Sequence, residues 1–186
     1  AEGKGVAQDL KQAVSWYQRA ASKGFAPAQY RYASMLERGL GAKADLAKAS
    51  VWYQRAAEQG IVKAMHNLAV LTSGRDGVPA DHTLAMRWFT SAAEYGLVDS
   101  QFNLAIMHEN GLGVEKDNRE AYKWFSLAAR AGDAEASKRR DVVKTKLSPS
   151  ELREIDAQIE SWRSKMADNA INDPRQAGEA WKQRAR

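Results

Sequence analysis

The chain has 186 residues and no cysteine; 44% of its side chains are apolar and 27% charged, with 28 basic against 23 acidic residues. This balance suits one soluble domain with an ordinary core and excludes a disulfide scaffold, a thiolate metal site and a cysteine nucleophile. The net charge of +5 is mixed in sign along the chain rather than gathered into a basic stripe, so no nucleic-acid partner is indicated. No stretch reaches the roughly 18 consecutive apolar residues that a membrane span requires.

Only four prolines interrupt a chain rich in Ala, Gln, Glu, Lys and Arg, so helix is favoured over strand. The organising signal is a 36-residue period: Trp16, Trp52, Trp88 and Trp124 are each followed by an aromatic, Tyr17, Tyr53, Phe89 and Phe125. The same spacing relates Gly5, Gly41, Gly77 and Gly113; Asp9, Asp45, Asp81 and Asp117; Ala13, Ala49, Ala85 and Ala121; and Gly24, Gly60, Gly96 and Gly132.

Taken in chain order, Ala1 to Gly5 correspond to the end of a second helix and its loop, so the sequence is expected to start inside a repeat and to be a fragment of a longer protein. Asp9 then starts a helix over 10–23, and Gly24 ends it. The pairs Asp9 with Gln12 and Asp117 with Glu120 have the spacing of a capping box, in which each side chain satisfies an orphan amide of the first turn. Asp45 and Asp81 keep only the first half of that pattern. Second helices follow over 26–38, 62–73, 98–110 and 134–146, with Pro27 in the permitted first turn and Gly39 and Gly111 as stops. The Trp and aromatic columns recur at one helical position in every copy, which predicts packing between successive helix pairs, and Ala13, Ala20, Ala28 and Ala33 let helix axes approach. One pair cannot bury such a face, whereas a stack can. In the third copy Arg75 and Asp76 replace the Gly-Leu of 39–40 and 111–112, and a looser or re-aimed loop is expected there.

After Gly132 the columns fade. Ser148, Pro149 and Glu151 open a last helix with Leu152, Ile155, Ile159 and Trp162 at helical spacing, the capping element a solenoid needs. The expected organisation is a repeat solenoid over 1–146, a capping helix over 147–166 and an extended or disordered tail over 167–186, which Ile171 and Trp181 anchor back onto the repeats.

Residues 111–132, Gly-Leu-Gly-Val-Glu-Lys-Asp-Asn-Arg-Glu-Ala-Tyr-Lys-Trp-Phe-Ser-Leu-Ala-Ala-Arg-Ala-Gly, resemble the Sel1-like repeat, and residues 1–146 follow that pattern. The resemblance implies an all-α, right-handed solenoid of antiparallel helix pairs that brings other proteins together, without enzyme activity. Some members carry a disulfide in each repeat, from which this cysteine-free chain departs. A narrower likeness joins Asp99 to Ile106, Lys138 to Asp141 and Ser148 to Trp162 to the C-terminal end of the PodJ family of alphaproteobacterial cell-pole organisers. It implies a periplasmic domain of a parent protein anchored in the inner membrane, acting in cell polarity.

The resemblance places the helices without Trp on the concave surface. One column of those helices reads Arg31, Asn67, Asn103, Arg139, whose amides and guanidinium groups suit an extended peptide backbone or a carboxylate. The column three residues on reads Ser34, Val70, Ile106, Val142, and its three apolar residues offer a hydrophobic strip beside the amides. These positions are either a groove for a protein or peptide partner or an ordinary surface and partly buried helix faces. The Lys138–Arg139–Arg140 run with Lys144 and Lys146 raises a second possibility, peptidoglycan or another glycan, beside the simpler one of a solvated face. His66, His82 and His108 fall in different columns with no metal-pair spacing, His66 standing where Tyr30 and Phe102 are packed rings, and no cofactor motif is present.

Overall fold

The computed structural model describes residues 10–74, 79–173 and 175–179, and among them the regular structure is helical throughout, without strands. The helices run in chain order α1 (Leu10–Ser22), α2 (Ala26–Arg38), α3 (Leu46–Glu58), α4 (Val62–Thr72), α5 (His82–Glu94), α6 (Val98–Asn110), α7 (Asn118–Arg130) and α8 (Ala134–Lys144), and α1 packs on α2, α5 on α6 and α7 on α8 as the antiparallel pairs of an α-solenoid. Helices α9 (Pro149–Ser161) and α10 (Asn169–Asn172) follow. The chain divides into two compact units, Ala1–Ala64 with Asp168–Arg186, and Met65–Ala167.

The first helix starts from an aspartate in each of the three later pairs. Asp45 accepts from the Lys48 amide and Asp81 from the Leu84 amide, both at 2.9 Å, which satisfies donors that no helical carbonyl can reach. Asp117 accepts from Arg119 and Glu120 at 2.8 and 3.2 Å, but the returning half of the expected capping box is absent. The Glu120 carboxylate turns along its helix instead, to the Lys123 ammonium at 2.6 Å and the Trp124 indole N–H at 2.9 Å, stronger partners than an exposed amide. Asp9 lies outside the described residues, as do 75–78 of the third-copy loop, including Gly77.

The loops repeat as faithfully as the helices. The amides of Asp45, Asp81 and Asp117 donate to the carbonyls of Leu36, Thr72 and His108 at 3.0, 2.8 and 2.9 Å. In two loops the glycine is dictated by a close approach. A Cβ on Gly41 would stand 2.1 Å from the Leu10 carbonyl oxygen, and one on Gly113 2.4 Å from that of His82, so each loop folds onto the start of the preceding pair's first helix.

In the first compact unit, Ala21, Ala28 and Ala33 are buried where α1 meets α2, and the buried Gln29 amide donates to the Ala21 carbonyl at 3.3 Å. The rings of Tyr30 and Tyr53 lie 5.8 Å apart, Tyr32 meets Trp52 edge-on at 5.5 Å, and the Tyr53 hydroxyl donates to Glu37 at 2.7 Å. In the second unit Gln101 repeats the bond of Gln29, donating to Ala93 at 3.2 Å. His66 meets Phe89 and Phe102 meets Phe125, both edge-on, at 5.7 and 5.6 Å. Such pairs add about 0.5–1.5 kcal/mol each beyond the area they bury. The second aromatic of each pair thus packs on the non-Trp helix of the pair before.

That rule explains the one place where the expected core is open. Trp16 is 60% exposed and Tyr17 38%, against 0% for Tyr53 and Phe125, because among the described residues no ring stands opposite α1 as Tyr30 stands opposite α3. The Arg19 guanidinium covers Trp16 from 5.0 Å instead.

Helix α9 has the full capping box, with the Ser148 amide donating to Glu151 at 2.8 Å. It buries Ile155 and Ile159 against α7, where Trp124 meets Trp162 edge-on at 6.5 Å. Arg119 of α7 holds Glu154 at 2.7 Å and Glu151 at 3.5 Å, and the Tyr122 hydroxyl donates to Asp156 at 3.0 Å. The tail departs from the extended or disordered form expected of it: Asn169–Asn172 is a helical turn, and residues 175–179 are helical with Ala177 buried. Of the two expected anchors, Ile171 lies against Gly60, and Trp181 lies outside the described residues.

Candidate partner-binding surface

The positions singled out in the sequence lie on the second helix of each pair, and the structure treats them differently. Arg31, on α2 in the first compact unit, is exposed, its guanidinium 5.9 Å from the centre of the Tyr30 ring. Asn67 is half-buried on α4. Arg139 is engaged rather than presented: it donates to Glu109 at 3.0 Å, and Lys146 approaches the same carboxylate at 3.4 Å. Glu109 is only 10% exposed, so the two cations balance a nearly buried charge, and the carboxylate that the Arg139 guanidinium holds is one of this chain. Val142, the last member of the apolar column, is 56% exposed, whereas Ser34 is half-buried.

The other three come together. Val70 of α4 and Asn103 and Ile106 of α6 line one cavity of about 240 Å³, completed by Ser73, His82, Phe89, Met107 and Leu112. The one-turn spacing from Asn103 to Ile106 puts both on one face of α6. The lining is mainly apolar, with one unspent polar side chain. Asn103 makes no side-chain hydrogen bond among the described residues, whereas His82 Nδ1, also without a partner there, is closed to solvent and out of reach of a ligand. A concave, mainly apolar wall that carries a polar side chain is the usual form of a ligand site.

The remaining histidines serve packing. His66 Nδ1 shares a hydrogen bond of 2.8 Å with Ser100 Oγ, and burial pulls its pKa below the ordinary histidine value against the opposing Asp99 carboxylate. Burial likewise lowers His108, although Glu120 and Asp117 pull upward. Among the described residues no group of His, Asp and Glu can hold a metal ion, and no helix is long and apolar enough to cross a membrane.

A second concavity, of about 510 Å³, lies among α7, α8 and α9, and sequence reasoning missed it because its charged residues are not in repeating columns. Its cations are largely spent internally: Arg130 donates to the Ile159 carbonyl at 2.8 Å and Arg140 to Asp141 at 2.8 and 2.9 Å. The basic run on α8 is also mostly paired, with Lys138 on Glu135 at 3.3 Å and Lys144 alone without an ion pair among the described residues.

The comparisons with known proteins agree with this architecture. The family model described as the Sel1 repeat matches residues 1–25, 26–61, 62–96 and 98–133. No curated protein matches. Among solved structures, a protective antigen of uropathogenic Escherichia coli strains displaying an SLR fold is 28% identical with a TM-score of 0.75, over 97% of this chain and 38% of that one. A Sel1 repeat protein from Oxalobacter formigenes is 36% identical with a TM-score of 0.64, over 73% and 39%. The cysteine-rich protein B of Helicobacter pylori, at 22% identity and a TM-score of 0.54 over 73% and 98%, shares the fold. The chain spans about two fifths of the length of the first two.

Proposed function

Because the chain belongs to the Sel1 repeat family, whose members act as protein–protein interaction scaffolds, we propose that it is a non-enzymatic scaffold module that holds a segment of a partner protein at the cavity of Val70, Asn103 and Ile106. The observation that carries the reading is the cavity itself, which pairs an apolar lining with the unspent Asn103 amide. An aliphatic side chain of the partner enters between Val70 and Ile106, where burial is worth about 1.5–3 kcal/mol. The adjoining peptide group meets Asn103, which can donate and accept at once. A photo-reactive benzoylphenylalanine at Ile106, with the same residue at the exposed Val51 as control, tests this directly. Adducts to a defined segment of one protein at 106 and not at 51 support it; identical adducts at both positions refute it.

The finer reading places this module in the periplasm as part of a cell-pole organising protein of an alphaproteobacterium, supported by the likeness of α8 and α9 to that family's C-terminal end. An alkaline phosphatase fusion that is inactive when expressed with the parent protein would remove the periplasmic assignment. Peptidoglycan is the weaker alternative, since four of the five cations of the 138–146 run already have carboxylate partners. The chain is expected to stay in the supernatant when purified sacculi are sedimented at low salt, and co-sedimentation would favour the glycan instead.

A further inference from the structure

The second helix of each pair begins after one column of residues, Phe25, Ile61, Leu97 and Asp133. Only Asp133 caps its own helix, accepting from the Ala136 amide at 2.9 Å, while Phe25 and Leu97 make no side-chain cap. An apolar residue at this position leaves first-turn amides without their usual acceptor. At α4 the acceptor arrives from elsewhere in the chain. Asn172 Oδ1 accepts from the Val62 amide at 3.0 Å, while its Nδ2 donates to the Gly60 carbonyl at 3.0 Å.

The same Nδ2 donates to the Asp168 carbonyl at 3.0 Å, so the amide that reads the corner also fixes its own helical turn. Ile171 supplies the apolar half of the contact, its Cδ1 lying 3.2 Å from where a Cβ on Gly60 would stand. Asparagine is demanded by this geometry, since the corner presents one donor and one acceptor: aspartate has no N–H for Gly60, and a serine hydroxyl is too short to bridge both.

We propose that the corner between α3 and α4 in the first compact unit is a peptide-binding site for an aliphatic–asparagine pair carried on a helical turn, and that Ile171 and Asn172 are its resident ligand. A tethered ligand competes intramolecularly, so the site opens only to a partner segment that carries the same pair and displaces the tail. The observations here are independent of the Val70–Asn103–Ile106 cavity, and the two readings fail in different experiments.

The test uses the full chain, wild type and Ile171→Ala/Asn172→Ala, with a fluorescein-labelled peptide of residues 167–173 followed by anisotropy. The peptide is expected to bind the double variant at least tenfold more tightly than the wild type, and a peptide carrying Asn172→Ala is expected to lose that binding. Equal binding to both chains, or binding to neither while far-UV circular dichroism shows both folded, overturns the proposal. A second measurement needs only one substitution: exchange of the Val62 amide is expected to quicken at least tenfold in Asn172→Ala, and unchanged exchange also overturns it.

Discussion

Two glycines with positive φ but different surroundings give the sharpest test of how the repeat is built. Gly113 and Gly132 both have positive φ, +72° and +102°, so alanine at either is strained by about 1–2 kcal/mol. Their surroundings differ. A Cβ on Gly132 meets nothing within 4 Å, whereas one on Gly113 would stand 2.4 Å from the His82 carbonyl oxygen and 2.9 Å from the Thr83 amide. Those are backbone atoms at the start of α5 and cannot swing away, so overpacking adds roughly 1–3 kcal/mol at Gly113 alone. Gly132→Ala is therefore expected to lose about 1–2 kcal/mol in urea unfolding followed by circular dichroism, and Gly113→Ala about 2–5 kcal/mol. Equal losses would refute the claim that the loop and the start of α5 are in backbone contact.

Other consequences follow from single side chains. Asp45→Ala removes the acceptor of the Lys48 amide and is expected to destabilise by about 1 kcal/mol, read as a lower urea midpoint with an unchanged slope. Arg139→Ala alone is expected to cost less than about 1 kcal/mol, because the pair is partly exposed and Lys146 remains beside Glu109. Arg139→Ala/Lys146→Ala is expected to exceed the sum of its single effects, since it strands a nearly buried carboxylate; a double-mutant cycle with no coupling would contradict this. His66 and His108 have depressed folded pKa values, so the unfolded chain takes up their protons first as pH falls. Their contribution is present above about pH 6.5 and is lost as pH drops through the folded values, so Tm should decline below that pH. His66→Phe/Ser100→Ala, which keeps the ring and removes its hydroxyl partner together with the titrating group, should make that decline shallower, and an identical decline would assign it elsewhere.

The sequence made the helices legible because each repeats a local signal: an aspartate that caps, a glycine that stops, and aromatics at one helical position. It was blunt where an outcome depends on a neighbour rather than on the residue itself. Trp16 has the sequence context of Trp88, yet the first is exposed and the second is 9% exposed, because column identity does not tell which helix lies opposite. Val70, Asn103 and Ile106 were visible as columns, but not as walls of one cavity with His82 and Leu112, which sit in no common column. Arg139 looked like the partner of Asn103 in a polar row until Glu109, thirty residues earlier, claimed it. The bond from Asn172 to Val62 spans 110 residues and leaves no periodic trace at all.

The central claim is that a partner protein is held at the Val70–Asn103–Ile106 cavity, and hydrogen–deuterium exchange of the chain with and without the partner identified by crosslinking tests it most directly. Protection is expected in peptides covering the later part of α4, the start of α5 and α6, and to vanish in Asn103→Ala/Ile106→Glu. Protection confined to α1 or α9, or protection in the cavity peptides that survives the double substitution, would contradict it.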